Sequence, residues 1–298
     1  MRVGEFASAL LSLATPLEPL DMPLLDAHGA TLATDIRSGD QIVLAEGARI
    51  RATQIGLAAT LGLDHLPTRP QPRVVVVALS ESTSITSAAA TNSWLLTTAV
   101  KEAGALGYRV LLQADTASHI KAIVEDQLVR ADLILVTGDE GDRAFDQVLE
   151  VLARIGQMQS VDVRYLRGGR HAFGTVDPER TPVILLPGNS IAAYISTEIF
   201  VRPMIRQMMG LRDIHRPVIR ARLAGEVRSV SDYHDFLLAT WTRNESGAGN
   251  EDLVRVLDDQ ESMVALAEAN ALIALSPDDE VVPQGRDVDL ILLERRYL

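Results

Sequence analysis

The chain has 298 residues, enough for two or three domains, and its 47% hydrophobic and 23% charged residues are typical of a soluble globular protein. A formal net charge of −12 argues against nucleic acid as a partner, because binding a phosphate backbone needs clustered Lys and Arg side chains. The sequence contains no cysteine, which excludes disulfides, thiolate metal sites and cysteine nucleophiles.

The first residues and the hydropathy of the chain bear on its location. Glu5 precedes a short apolar run that is diluted by Ser and Ala, which argues against a signal peptide. No stretch is apolar enough to span a membrane. We therefore expect a cytoplasmic protein with neither a membrane nor a nucleic-acid partner.

An N-terminal module is predicted over residues 1–70. The pattern indicates a helix over 5–14, short strands between 22 and 51, and a helix over 52–61. Three prolines then follow within 67–72, and such a segment continues neither a helix nor a central strand. A domain boundary is therefore expected near residue 70.

A central α/β domain is predicted over residues 71–212. Strands are expected at 74–79, 109–113, 132–136, 162–166 and 182–186, and helices at 92–103, 118–128, 145–155 and 191–209. Strands rich in Val, Ile and Leu that alternate with amphipathic helices indicate a three-layer, mostly parallel sheet covered on both faces. Ligands of such sheets bind beyond the carboxyl ends of the strands, here 80–82, 137–139 and 187–189.

The last part of the chain, residues 213–298, is predicted to form a small β-rich domain. Its expected strands lie at 218–227, 236–243, 253–257, 272–275 and 288–293, with one short helix near 263–269.

The junction after the strand at 182–186 is a candidate anion site. The segment LLPGNSIAAYIS breaks an apolar strand at Pro187, Gly188 and Asn189 and continues directly into a helix. Asn189 and Ser190 are good N-cap residues, and the N–H groups at a helix start favour a phosphate or carboxylate. An ordinary helix cap without a ligand is the alternative.

Several segments together resemble the molybdopterin molybdenumtransferase family, which includes bacterial MoeA and the gephyrin E domain. TGDEGDRAFDQVLEVLARIG is similar to the family's strand, Thr-Gly-Gly loop, Gly-Asp-Tyr-Asp and helix, and LLPGNS with the later FVRP is similar to its Leu-Pro-Gly-Asn-Pro helix. Thr91-Asn92 resembles a Ser-Asn helix start. The likeness extends to LLDAHGATLATDI near the N-terminus and to DDQESMVALAEANALIAL near the C-terminus.

The resemblance implies a ligand, a reaction and a set of site residues. The ligand would be molybdopterin or molybdopterin-AMP, the reaction molybdate insertion with loss of AMP, and the assembly an elongated homodimer. Asp142 and Asp146 would be catalytic, and Asp146 would also bind Mg²⁺ or molybdate. The implied cofactor-binding residues are Asn92, Gly138, Asp139, Arg167, Arg170, Pro187, Gly188, Asn189 and Ser190.

Each of these assignments has a structural alternative. An Asn at position 92 is most often a helix N-cap, and Arg167 and Arg170 are also explained as residues of a solvated loop. Asp142 and Asp146 are also explained as acids that complement the positive end of a helix dipole.

Departures from the family pattern leave a second hypothesis open. The family's second lobe is absent between Ile36 and Gly39, Asp139 replaces a glycine, and Ala144 replaces an acid. These changes suit a binding or scaffold protein with impaired catalysis that acts through a protein partner or a regulatory ligand. Whether each lost acid has a spatial substitute discriminates between the two hypotheses.

Overall fold

A computed structural model describes residues 1–80, 87–113, 116–138, 142–176, 178–242 and 252–294, with the backbone alone for 112, 113 and 142–144. Two of the predicted site residues are affected. Asp139 lies outside the described residues, and so does the side chain of Asp142.

The first 69 residues form two helices, a three-stranded sheet and a hairpin. The helices are α1 (Val3–Leu13) and α2 (Ala52–Thr60), and the strands are β1 (Leu20–Pro23), β2 (Thr31–Leu32), β3 (Ile36–Ser38), β4 (Gln41–Leu44) and β5 (His65–Arg69). The sheet has the order β1-β5-β2, and β3 pairs with β4. That hairpin occupies the position at which the resemblance places a missing lobe.

A six-stranded sheet stands at the centre of the described chain. Its strands are β6 (Arg73–Ser80), β7 (Leu106–Gln113), β8 (Leu133–Gly138), β9 (Gly156–Asp162), β10 (Arg170–Val176) and β11 (Thr181–Leu185). The strand order is β7-β6-β8-β11-β10-β9, in which the first four strands are parallel and β10 is antiparallel to both of its neighbours.

Helices cover both faces of the sheet, which confirms the predicted three-layer α/β class. They are α3 (Ala88–Ala103), α4 (Ala117–Leu128), α5 (Asp142–Ile155), α6 (Ser190–Ser196) and α7 (Arg202–Met208), and a π-helical turn (Thr197–Val201) joins the last two. Val74 and Val76 point into one core, Val75 and Val77 into the other. The alternation follows from the two-residue period of a strand that is buried on both sides. Phe6 of α1 packs into the first of these cores.

Two sequence predictions in this region are wrong. Helix α3 begins at Ala88, because the Ser87 hydroxyl accepts a hydrogen bond from the Ala90 N–H, so Asn92 is not the N-cap. Residues 163–166 form no strand, and the strand lies earlier, at β9. It pairs with β10, whose first residue was predicted to lie in a loop.

The C-terminal part closes into a barrel of five described strands, a finer result than the predicted β-rich domain. The barrel consists of β12 (Val218–Leu223), β14 (Asp235–Thr242), β15 (Leu253–Val256), β16 (Ala271–Leu275) and β18 (Asp287–Leu292). Strands β13 (Val227–Arg228) and β17 (Val281–Val282) pair beside it, and α8 (Met263–Glu268) is the predicted short helix.

Candidate functional site

Three of the predicted segments meet at one edge of the central sheet. Val136 of β8 is in register with Leu185 of β11, so Gly138 and Pro187 follow neighbouring strand ends. Strand β10 is antiparallel to β11, which brings its first residue, Arg170, to the same edge. The topology therefore brings Gly138 at the end of β8, the arginine loop (residues 167–170) and the Pro-Gly-Asn junction (residues 187–190) side by side.

The Pro-Gly-Asn junction has the capped helix start that the sequence predicts. The Asn189 side-chain oxygen accepts hydrogen bonds from the Ile191 and Ala192 N–H groups at 3.1 and 3.0 Å. Ser190 is the first residue of α6. The cap satisfies two of the N–H groups that a helix start otherwise leaves unpaired.

Asn92 lies beneath this junction and is completely buried. Its amide nitrogen donates to the Gly188 carbonyl oxygen at 2.7 Å and to the Thr137 hydroxyl at 3.2 Å. The Thr137 hydroxyl in turn donates to the Pro187 carbonyl oxygen at 3.1 Å. We call Asn92 and Thr137 the junction clamp, since together they hold two successive carbonyl groups of the junction. The Asn92 side-chain oxygen is buried and has no hydrogen-bond partner among the described residues.

Arg170 and Asp146, both predicted site residues, contact each other. An Arg170 nitrogen lies 2.5 Å from an Asp146 carboxylate oxygen, and the Arg170 Nε donates to the Ser160 hydroxyl at 3.0 Å. The guanidinium carbon is 4.7 Å from the centre of the Phe145 ring. The side chains of Arg170 and Asp146 are 33% and 59% exposed, so the pair is accessible to a ligand.

Arg167 turns toward the C-terminal barrel and not toward α5. Its backbone has φ of 63°, and its side chain forms an ion pair with Asp235, a residue that is only 2% exposed. Burial raises the pKa of the Asp235 carboxyl, and Arg167 and a hydrogen bond from Ser229 partly offset this. Arg167 and Asp235 line a cavity of about 920 Å³ between the arginine loop and the barrel. Arg167 and Arg170 therefore have partners in different parts of the protein: Arg167 pairs with Asp235 of the barrel, and Arg170 pairs with Asp146 of α5.

Asp235 is a candidate residue that the sequence analysis does not identify, because it directly precedes the strand predicted at 236–243. The first residues of β14 are buried in succession, and Asp235 is the first of them. A carboxylate as the first residue of an apolar strand is the sequence signal that could have indicated a buried charge with a partner.

The remaining predicted site residues are Gly138, Asp139 and Asp142. Gly138 ends β8 and is half-buried, while Asp139 and the Asp142 side chain lie outside the described residues. Within the ranges given above, no group of three or more His, Cys, Asp or Glu side chains is arranged to hold a metal ion. None of the described helices has the length and apolar character needed to cross a membrane.

Comparisons with known proteins agree on the central region. The family model described as "Probable molybdopterin binding domain" matches residues 76–207. Molybdopterin molybdenumtransferase 1 of Mycobacterium tuberculosis is 31% identical over 271 residues, which cover 87% of this chain and 63% of the relative. Molybdopterin molybdenumtransferase 2 of the same species is 32% identical over 65% of this chain and 52% of the relative. The chain thus spans less than two thirds of the length of these curated relatives.

Solved structures share the fold of nearly the whole chain. A molybdopterin biosynthesis moeA protein of Pyrococcus horikoshii superposes with a TM-score of 0.79 at 14% identity, covering 99% of both chains. A molybdenum cofactor biosynthesis protein of Pyrococcus furiosus superposes with a TM-score of 0.74 at 21% identity, over 98% of this chain and 99% of the other.

Proposed function

Because this chain belongs to the MoeA-like family of molybdopterin molybdenumtransferases, we propose that it acts in molybdenum cofactor biosynthesis by binding molybdopterin at the carboxyl edge of its central sheet. The bound form is molybdopterin or its AMP adduct. The phosphate of the ligand lies at the Pro-Gly-Asn junction, and Arg170 supplies the positive charge.

The observation that carries this proposal is the junction clamp. Asn92 and Thr137 bind the carbonyl oxygens of Gly188 and Pro187. In a trans peptide the following N–H points opposite to the carbonyl. The N–H group of Gly188 therefore points away from the clamp, and a backbone N–H with this orientation at a helix start suits an anion.

Arg170 can exchange its carboxylate partner for a phosphate. An exposed ion pair such as Arg170–Asp146 contributes at most about 1 kcal/mol, since solvent screens both charges. A guanidinium binds a phosphate through two parallel hydrogen bonds, which is the stronger arrangement. Exchange would release Asp146, and Asp146 and Asp142 are the carboxylates that would hold Mg²⁺, whose charge would offset that of an adenylylated ligand.

A second candidate function is ligand binding without molybdate insertion, in a scaffold or regulatory protein with a protein partner. The Arg170–Asp146 ion pair favours this alternative, because the Arg170 guanidinium neutralises the carboxylate that would otherwise bind a metal ion. Under this alternative Asp146 serves only as the ion-pair partner of Arg170 and binds no metal ion. A homodimer is the assembly we propose for either function, and light scattering during size-exclusion chromatography measures it.

Anaerobic calorimetric titration with molybdopterin tests the binding site. Wild type is expected to bind, and Arg170→Ala is expected to bind at least about tenfold more weakly, the usual loss for a charged hydrogen bond. Arg154→Ala is the matched control, because Arg154 also pairs with a carboxylate on α5, at 2.5 Å from Glu150, but in the last turn of that helix. It should leave the affinity unchanged. Absence of binding by wild type would remove both candidate functions.

Asp146→Ala distinguishes the roles of the carboxylate. Without Mg²⁺ the substitution frees Arg170 and should not weaken molybdopterin binding. With molybdopterin-AMP and Mg²⁺ it should weaken binding. A molybdate-insertion assay with purified components then decides between the candidates, since insertion by wild type supports the first and binding without insertion supports the second.

A further inference from the structure

A buried hydrogen-bonded chain connects helix α6 to the arginine loop. The His171 Nε2 lies 2.8 Å from the Ser196 hydroxyl oxygen, which lies 2.6 Å from the Tyr165 hydroxyl oxygen. The other ring nitrogen, Nδ1, lies 3.2 Å from the Gly169 carbonyl oxygen. All three side chains are buried, and none of them has a role in the function proposed above.

The arginine loop rests directly on this group of side chains. A side-chain carbon added to Gly168 would lie 2.2 Å from the Tyr165 ring, so only glycine fits there. Arg167 and Gly169 both have positive φ, at 63° and 68°. Arg167 needs support from its surroundings in this left-handed conformation, because such a conformation is costly for residues other than glycine.

The contact with Gly169 determines where the ring carries its proton. A carbonyl oxygen only accepts hydrogen bonds, so Nδ1 must donate in this contact. The ring is surrounded by Phe6, Phe200 and Tyr165, and burial keeps it neutral. In a neutral ring that donates from Nδ1, Nε2 is an acceptor. The single Ser196 hydroxyl hydrogen then goes to Nε2 and not to the Ala192 carbonyl oxygen, its other acceptor at 2.7 Å, while the Ser196 oxygen accepts from Tyr165.

We propose that His171 is a positioning residue for ligand binding: its Nδ1–H holds the Gly169 carbonyl and thereby fixes the backbone from which Arg170 reaches the phosphate. The proposal rests on the function proposed above. His171 itself touches no ligand. It acts through the loop, while Ser196 ties the ring to the helix that starts at the Pro-Gly-Asn junction, so one hydrogen-bonded chain sets both walls of the site.

The tautomer is measured on the wild-type protein by nitrogen-15 NMR after labelling of the histidines. The His171 signal is assigned by its disappearance in His171→Asn. We expect a protonated Nδ1 and an unprotonated Nε2. The opposite tautomer would overturn the proposal, because Nδ1 could then not donate to Gly169.

Two substitutions separate positioning from general support of the fold. The amide nitrogen of Asn at this position replaces Nδ1, whereas that of Gln replaces Nε2 and leaves Gly169 without a donor. We expect His171→Asn to keep the molybdopterin affinity within about threefold of wild type. We expect His171→Gln to lower the affinity about tenfold, the effect of losing the one hydrogen bond that positions the loop. Thermal midpoints are measured alongside.

A merely structural role would make the two affinities follow the two thermal midpoints. Equal affinities in both variants therefore contradict the proposal. Failure of the proposed function is recognised separately, because wild type would then not bind molybdopterin or Arg170→Ala would bind as well as wild type. If the variants do not fold, the buried His171 ring is assigned in wild type as the histidine signal least broadened by a paramagnetic agent in the solvent, and its tautomer still decides.

Discussion

At the scale of single residues, His171 departs furthest from the chemistry of a histidine in water. Burial lowers its pKa from 6.5 to about 4. The folded protein therefore keeps the ring neutral at a pH at which the unfolded chain has already bound a proton. Between these two values the unfolded state binds more protons, so the free energy of unfolding rises with pH across this range.

We predict that the stability of the protein falls as the pH decreases from 6.5 toward 4. The loss attributable to His171 is at most about 3.5 kcal/mol, because one pKa unit corresponds to about 1.4 kcal/mol. Urea unfolding at several pH values measures it.

His171→Asn is the control for this measurement, since it removes the titrating ring and keeps the hydrogen bond to Gly169. Burial raises the pKa of Asp235, which acts in the opposite direction, but that carboxyl is present in both proteins and cancels in their difference. A difference between wild type and variant that does not change with pH would contradict the prediction.

Single residues were predictable from sequence where their chemistry is local. Asn189 was identified as a cap because the signal, an Asn between Gly and a helical pattern, lies within a few residues. Asn92 was taken for a cap as well, yet its partners are 45 and 96 residues away. No local pattern encodes such contacts, and the same is true of Asp235 and of the partners of His171.

At the scale of elements, the buried parallel strands were found and the pair β9–β10 was not. Val, Ile and Leu runs identify β6, β8 and β11 because these strands are covered on both faces. Strand β9 lies at the sheet edge and reads GQMQSVD, which is too polar to signal a buried strand. Its existence depends on pairing with β10, which brings together residues such as Gly174 and Met158.

We predict that Gly174→Ala destabilises the protein by about 1–3 kcal/mol, through backbone displacement in the β9–β10 pair. A side-chain carbon at this position would lie 1.8 Å from the Gln157 carbonyl oxygen. Thermal or urea unfolding measures the loss. Since β10 carries Arg170, the molybdopterin affinity should fall too.

Gly56→Ala is the matched control, because Gly56 lies inside α2 and a side-chain carbon there has nothing within 4 Å. It should stabilise the protein by up to about 1 kcal/mol, the usual gain when alanine replaces glycine in a helix. Equal effects of the two substitutions would show that close packing at Gly174 is not the cause.

At the scale of the whole molecule, the class and order of the parts were predictable, and their connection was not. The closure of the barrel depends on pairs such as β12 with β18, which are about seventy residues apart in sequence. One buried ionic cluster contributes to the connection between the barrel and the central sheet. Arg216 donates to the Glu198 carboxylate at 2.7 and 3.1 Å and to the Leu293 carbonyl oxygen at the end of β18.

Glu198 carries the buried negative charge at the centre of this cluster. Its side chain is fully buried, Arg216 is 7% exposed, and Arg202 lies 3.8 Å from the same carboxylate. Removing one partner of a buried ion pair leaves an uncompensated charge, which costs about 3–5 kcal/mol. We predict a loss of this size for Glu198→Gln, measured by urea unfolding, and a loss below about 1 kcal/mol for Glu226→Gln, whose partner Arg228 is exposed.

The two tryptophans show whether Glu198 also couples the parts. Trp94 lies on α3 beside the central sheet and Trp241 in the barrel, so replacing either one by Phe leaves a reporter of one part. In wild type we expect both reporters to unfold at the same urea concentration. In Glu198→Gln the Trp241 transition should come first, because the barrel loses its hold through Arg216. Coincident transitions in the variant would mean that apolar packing, and not this ion pair, joins the barrel to the sheet.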